Sequence, residues 1–316
     1  NSHKEKVSVV YTPEWRTLFL KKAETLKEMK KYLNGINISS RLIDEENNII
    51  ILPEIYTQYA RSLKKSKIFI WWLSVDNFFI SEKVNKSGFK KIFTNQKYGF
   101  GKFIHQHYNQ PYTINELKKK NVHHLVQSEY AQNFIENNFK KNATLIYDYI
   151  DYDPQLNESF FNLERRKKII AYNPKKGLKY TQSLIQIFGN DYKFVPIENM
   201  NKNQVRKILL ESAIYIDFGH HPGRDRIPRE ALLSGCCIIT NSKGSALYND
   251  VPISNKFKIG LNENFINSFA AILESLYSKK NCRSNFIEAY NLVSNDKKNA
   301  KMQVKKFIEL SKNKFI

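Results

Sequence analysis

The sequence predicts an α/β protein: two doubly wound domains built on parallel sheets, followed by C-terminal helices. Three observations predict it. Short runs of β-branched and aromatic residues alternate with amphipathic helical stretches. In the second half the alternation recurs roughly every 20 residues, the spacing of repeated βα units. Between Tyr147 and Phe161 the pattern breaks into acids, amides and a proline, which marks a domain boundary. The chain has 316 residues, enough for two domains of roughly 150 residues each. The expected division is 1–152, 153–296 and a basic C-terminal helix, 297–316, packed back on the first domain.

In the first half, Val7–Tyr11 reads as a short strand closed by Thr12-Pro13. Trp15–Leu33 reads as a helix, with Leu18, Leu20, Ala23, Leu26, Met29 and Leu33 largely on one stripe. Strands follow at Ile49–Leu52, Lys67–Leu73, Val122–Val126 and Thr144–Tyr147. Ser128 can cap a helix over Glu129–Asn138, its hydroxyl accepting a backbone N–H that has no partner inside the helix. Asn85–Leu117 shows no clear period and is left unassigned.

The second half is more regular. Strands are expected at Lys168–Tyr172, Tyr192–Val195, Ile214–Phe218 and Cys236–Thr240. Helices are expected at Lys179–Phe188, Gln204–Ser212 and Pro228–Ser234. Pro228 suits a first helical turn, where its missing N–H has no partner to lose, and Gly235 suits the position just after that helix. Helices then run over Glu263–Tyr277 and from Asn285 to the end, the last stretch being rich in lysine.

Charge narrows the partners. Lys and Arg number 51 against 30 Asp and Glu, a formal net charge of +21. Such a field favours nucleic acid, an anionic membrane surface or phosphorylated small molecules. No helix-turn-helix, RNA-recognition signature or zinc spacing accompanies it, so no nucleic-acid partner is expected. Three cysteines, two of them adjacent, make neither a disulfide framework nor a zinc site, which fits a reducing cytoplasmic setting. The longest apolar run, Ile68–Leu73, falls far short of the ~18 residues of a spanning helix, and no signal peptide is read at the start. Membrane contact is therefore expected to be peripheral, on the inner face.

The candidate site centres on Ile214–Ala246, two polar loops at the tips of neighbouring strands. It reads as the seat of a phosphate-bearing ligand, a nucleotide sugar. Lys175, Lys176 and Gly177 follow the first strand of this half, where a lysine can reach a diphosphate and a glycine admits its close approach. Arg224, Arg226 and Arg229 offer planar forks for phosphate or a sugar carboxylate, with at least one of them structural and paired with Asp225 or Glu230. His220 and His221, in a loop framed by Pro222 and Gly223, can bond a sugar hydroxyl, act as an acid or serve structure. Ser242, Gly244 and Ser245 offer N–H and hydroxyl donors. Glu230, near a helix N-terminus, can hold the paired hydroxyls of a ribose or simply complement the helix dipole.

Lys176-Gly177, and Pro228-Arg229-Glu230-Ala231-Leu232 with Gly235 and Ile238-Ile239-Thr240, resemble the phosphate-contacting and ribose-holding segments of GT-B-fold glycosyltransferases. The nearest resemblance is to the retaining enzymes of bacterial surface-polysaccharide synthesis. The family's second Glu, eight residues before the first, is replaced here by Pro222. His-Pro pairs also occur in transferases that use CMP-activated acidic sugars. The resemblance implies two Rossmann-like domains facing across a cleft, Glu230 on the ribose and Lys176 on the phosphates. It implies a nucleotide-sugar donor, no other cofactor, no required metal, and a saccharide or lipid-linked acceptor in polysaccharide or lipopolysaccharide synthesis.

An inverting reaction needs a base on the first half: Asp76 is the first choice, His105 or His107 the second, with His221 as a candidate acid. Asp76 also reads as a plain capping acid. Trp71, Trp72, Phe78 and Phe79 read as core, with an acceptor platform as the alternative. The rival functions are a basic nucleic-acid-binding protein, a nucleotide-sugar epimerase on the same fold, and a scaffold without activity.

Overall fold

A computed structural model describes residues 8–10, 37–39, 42–81, 111–152, 156–280 and 282–312. The expected helix Trp15–Leu33 lies outside them, as do His105 and His107. In the first half, β1 (Ser8–Val10) pairs in parallel with β2 (Asn37–Ser39). A second group of strands, β3 (Ile49–Pro53), β4 (Lys67–Trp72), β5 (His123–Val126) and β6 (Ala143–Leu145), forms an all-parallel sheet in sequential order. Strand β4 alternates little because both its faces are covered, as in other parallel sheets. Residues 75–81 are helical. Helices α1 (Ile114–Lys118) and α2 (Glu129–Phe139) follow. The hydroxyl of Ser128 accepts the N–H of Ala131 at 3.1 Å, the cap that the sequence predicts.

The second sheet holds β7 (Lys167–Tyr172), β8 (Lys193–Pro196), β9 (Ser212–Asp217) and β10 (Cys237–Thr240), all parallel, in the order β10-β9-β7-β8. The chain moves from β7 outward to β8, then returns to the other side of β7 for β9. That reversal is a topological switch point, the place where doubly wound sheets bind their ligands. Helices α3 (Leu178–Phe188), α4 (Lys202–Glu211) and α5 (Arg226–Leu233) connect the strands. Helix α4 begins two residues before its expected start, held by a capping box between Asn201 and Gln204. Helix α5 also begins two residues early, at Arg226, so Pro228 is its third residue; the N–H it lacks is still one of the four that no helix satisfies internally. At its other end Gly235 takes φ +77° while Cys236 N–H bonds Ala231 O and Gly235 N–H bonds Leu232 O, the paired closure that glycine favours.

Among the described residues three helices follow: α6 (Phe265–Lys279), α7 (Arg283–Ser294) and α8 (Asp296–Lys312). One terminal helix is expected from Asn285 onward; it is broken at Asn295, and Asp296, the first residue of α8, is buried against Arg224 and Arg229. Helix α8 lies on the first sheet, where Val304, Phe307 and Ile308 pack with Phe69, Trp71, Leu125 and Ile146.

Each large sheet has its own apolar core. Around the first, Trp72 and Phe78 are fully buried against each other, and Trp72 also meets Phe134 and Phe139, so these two rings are core and not an acceptor platform. Around the second, Ile214, Tyr215, Ile216, Cys237, Ile238 and Ile239 are fully buried between helices. The three cysteines are free and buried.

Candidate functional site at the switch point of the second sheet

Two loops meet at the mouth of the second sheet. After β7 the chain runs through Asn173–Lys176 to Gly177, whose φ of +62° starts α3. A Cβ at Gly177 would run into the carbonyl of Phe218, so only glycine lets the loop lie this close to the end of β9. Lys176 is thereby set against the second loop, and its Nζ reaches Asp225 Oδ2 at 2.5 Å. Lys175 points its backbone N–H at Asn173 Oδ1 and is exposed.

Asp225 also receives His221, with Nδ1 2.7 Å from the same Oδ2. Burial works against a charge on Asp225, but the hydrogen bonds from His221 and Lys176 outweigh it and hold the carboxyl below its ordinary value. The other face of His221 looks at Asp217, with Nε2 3.9 Å from Oδ1. Burial raises Asp217, opposed by His221 and by the N–H of Gly219. Asp217, His221 and Asp225 bring ligand atoms within 4.8 Å of one another, but the cation already on Asp225 is Lys176's own ammonium. The group is an ion-pair network.

His221 is wholly buried, so it does not reach a substrate as the acid the sequence allows. Its backbone pairs with Gly244, and Ser245 Oγ donates to Gly223 O, which locks the loop after β10 onto the loop after β9. The N–H of Ser245 is likewise spent on His221 O at 2.8 Å, and the Ser245 side chain is buried, so Ser245 braces the loop. Gly223 lies against the first sheet; a methyl there would sit 2.5 Å from the carbonyl oxygen of Leu73.

The three arginines part company. Arg229 is fully buried: Nη2 bonds both oxygens of Asp148 at 2.8 and 2.9 Å, and Nη1 lies 3.4 Å from Asp296. Arg224, expected on a phosphate, is engaged by Asp296 at 2.8 Å and by Asp148 O, with its guanidinium 4.0 Å over the Tyr147 ring. Together these two fasten the connecting segment and α8 to the start of α5. Arg226 alone stays half exposed, 2.7 Å from Glu230 one turn along the helix. Glu230 therefore has a partner the sequence offered it, and remains partly open.

Across from this cradle, Asp76 follows β4. Its Oδ2 lies 2.9 Å from Nε2 of His220, and the Tyr130 ring is packed edge-on against the same imidazole. Burial, then the charge of Asp76, raises the Tyr130 hydroxyl above its ordinary value. Residues that sequence reading left out are Asp217 and Asp250. An acid closing an otherwise apolar run, Ala213–Ile216, was the signal for the first; Asp250, in a loop, gave none.

Two parallel sheets, with a polar cradle at the switch point of one and an acid of the other beside it, define a doubly wound α/β architecture. The particular fold is GT-B. No protein-family model and no curated protein matches the sequence. Among solved structures, a point variant of S. aureus TarM in complex with fondaparinux, alpha-GlcNAc-glycerol and UDP is similar at a TM-score of 0.55 and 12% identity, over 89% of this chain and 57% of that one. Anabaena HepE in complex with UDP gives 0.56 and 9%, over 90% and 88%. Sucrose-phosphate synthase from Thermosynechococcus elongatus gives 0.53 and 12%, over 89% and 76%. The chain thus spans a little over half the length of TarM.

Proposed function

We propose that the chain is a glycosyltransferase that moves a sugar from a nucleotide-sugar donor to a saccharide or lipid-linked acceptor of the cell surface. The observation that carries this reading is Lys176 at the carboxyl end of β7, beside the loop of β9, at the switch point where doubly wound sheets bind nucleotides. The crystals of TarM and HepE contain UDP, which is consistent with a uridine donor here.

In this reading Glu230 accepts from the ribose hydroxyls, and Lys176 with Arg226 faces the phosphates. Cleaving the sugar–phosphate bond builds negative charge on the leaving group, and a fixed ammonium and guanidinium stabilise it without reorganising solvent. These cations can serve without a metal. Asp76 stands on the opposite wall as the base that would take the acceptor's proton, with His220 beside it. The exposed lysines of α8, including Lys298, Lys301, Lys305 and Lys306, fit docking to anionic lipid where a lipid-linked acceptor resides. Among the described residues no helix is long and apolar enough to cross a membrane.

A thermal-shift panel of UDP-, GDP-, CMP- and dTDP-sugars tests the donor, since a ligand that binds only the folded chain raises its melting point. A shift with one nucleotide class, and sugar transfer that persists in EDTA, are expected. No shift across the panel would overturn the reading. Flotation with anionic liposomes at low salt tests the membrane; a protein left at the bottom of the gradient removes that part.

A further inference from the structure

Glu54 is a buried acid that the chemistry above leaves unused. It begins the helical turn that follows β3, and only 2% of it is exposed. Its Oε2 accepts the backbone N–H of Leu73 at 3.0 Å, across the carboxyl ends of the paired strands β3 and β4. Burial pushes the Glu54 carboxyl up, and the Leu73 N–H works against that rise. Taking a carboxyl group out of water is costly, so an acid at this point is better explained by what it holds than by the stability it adds.

What it holds is the turn that carries Asp76. Strand β4 ends at Trp72, and Leu73 and Ser74 lead the chain into the helical residues 75–81. Ser74 Oγ accepts the N–H of Asn77 at 3.1 Å, and Ser74 O accepts that of Phe78 at 3.3 Å, so this helix is anchored on the turn. Asp76 sits in its first turn, with Oδ2 2.9 Å from His220 of the second half. Leu73 is fixed at both of its backbone groups. Glu54 takes its N–H, and Gly223 lies so close to its carbonyl oxygen that a methyl would not fit between them. An acid three residues further along takes its place from both.

Resting on the reading of Asp76 as the base, we propose that Glu54 is its positioning residue: by holding the Leu73 N–H it keeps the Asp76 carboxylate where an acceptor hydroxyl gives up its proton. Glu54 itself touches no substrate and moves no proton. Its effect is on rate, because a reacting group displaced by about 1 Å loses about a hundredfold. Donor affinity is set by the cradle of the second half, so it does not depend on Glu54.

The test compares Glu54→Met, which keeps the length of the side chain without an acceptor, with Glu54→Gln, which keeps one oxygen for Leu73. The rate is release of nucleotide from UDP-glucose, GDP-mannose, CMP-N-acetylneuraminate and dTDP-glucose into water, which stands in for the acceptor hydroxyl. Donor binding is measured beside it by calorimetry. For the donor that binds, Glu54→Met is expected to lower kcat about a hundredfold while the donor Kd stays within about twofold. Glu54→Gln recovers most of that loss. Combined with Asp76→Asn, Glu54→Met slows the reaction no further, since one base cannot be lost twice. A residue that merely supports the fold adds its own loss or weakens donor binding in step, and either result overturns the proposal. Because Glu54→Met can fail to fold, amide exchange of the unmodified protein gives a second measurement. The Leu73 amide is expected to exchange at least about tenfold more slowly than in an unstructured peptide, and an unprotected amide overturns the hold of Glu54. Binding and release that ignore Glu54 overturn this inference alone. No binding and no release with any donor overturns the functional reading together with it.

Discussion

Asp76 of the first half and His220 of the second meet at 2.9 Å, an ion-pair distance, and both remain partly open to solvent. The contact joins the tip of β4 to the loop after β9, and the close fit of Gly223 on Leu73 fixes the spacing beside it. An acid placed there can take a proton from an acceptor hydroxyl while His220 orients it. Asp76→Asn is expected to lower kcat by about 10²- to 10⁴-fold, the usual worth of a positioned base. The affinity for the nucleotide should stay within about twofold, since no nucleotide-facing group is changed. Steady-state rates and equilibrium binding measured side by side check it; an equal loss in both would mean that Asp76 holds the halves together and does no chemistry.

Glu230 carries the second prediction. Its partner Arg226 is half exposed, and an exposed i,i+4 pair of this kind contributes little to stability. Glu230→Ala should therefore leave the fold intact. Hydrogen bonds to a charged group contribute roughly 1.5–3 kcal/mol, so its loss should weaken nucleotide binding by roughly tenfold to a hundredfold and abolish the thermal shift. An undiminished shift would remove Glu230 from the ribose.

The strands of the two four-stranded sheets and the polar loops at their tips were legible because parallel strands buried on both faces read as continuous apolar runs, whereas β2, with one apolar residue in three, was not. Gly177 and Gly235 were legible for a local reason, a close approach at a helix start and a helix end that both need a positive φ. What the sequence could not supply was pairing across distance. Nothing local distinguishes Arg226, left half exposed, from Arg224 and Arg229, which turn inward to Asp148 and Asp296. Those acids lie about 70 or more residues away, and only the closed fold brings them together. His221 and His220 are adjacent in the chain, yet one is buried in a triad and the other reaches the opposite sheet.

Arg229 supplies a stability prediction. Its guanidinium is fully buried, bonded to both oxygens of Asp148 and to the backbone carbonyls of Arg224 and Asp225. Only the guanidinium is fully buried: Asp148 is 39% exposed, so water can take over its oxygens, and the cost is that of the buried hydrogen bonds lost, about 1–3 kcal/mol. Arg229→Met is expected to lose about that much in urea denaturation, with Asp296 left to Arg224 alone. A loss below about 1 kcal/mol would show that water reaches Asp296 as well.

Asp250 supplies the last, and its sign follows from where it sits. The carboxylate reaches from the second half to the N-terminus of α2, accepting the N–H of Glu129 at 2.9 Å and of Tyr130 at 3.0 Å. Burial nonetheless raises its pKa from 3.8 to about 6, outweighing those two bonds. Between these values the unfolded chain releases the proton while the folded chain keeps it. The stabilisation is thus fully present below about pH 4 and is lost as pH rises through about 6. A gap of about two units corresponds to roughly 3 kcal/mol. Asp250→Asn cannot ionise, so its stability relative to the native protein should rise by up to that amount between pH 4 and pH 7. Urea denaturation of both proteins across this range, read as a difference so that other titrating groups cancel, gives the answer. A difference that stays flat would mean that the helix N-terminus holds Asp250 charged throughout, and that the join between the halves is insensitive to acid.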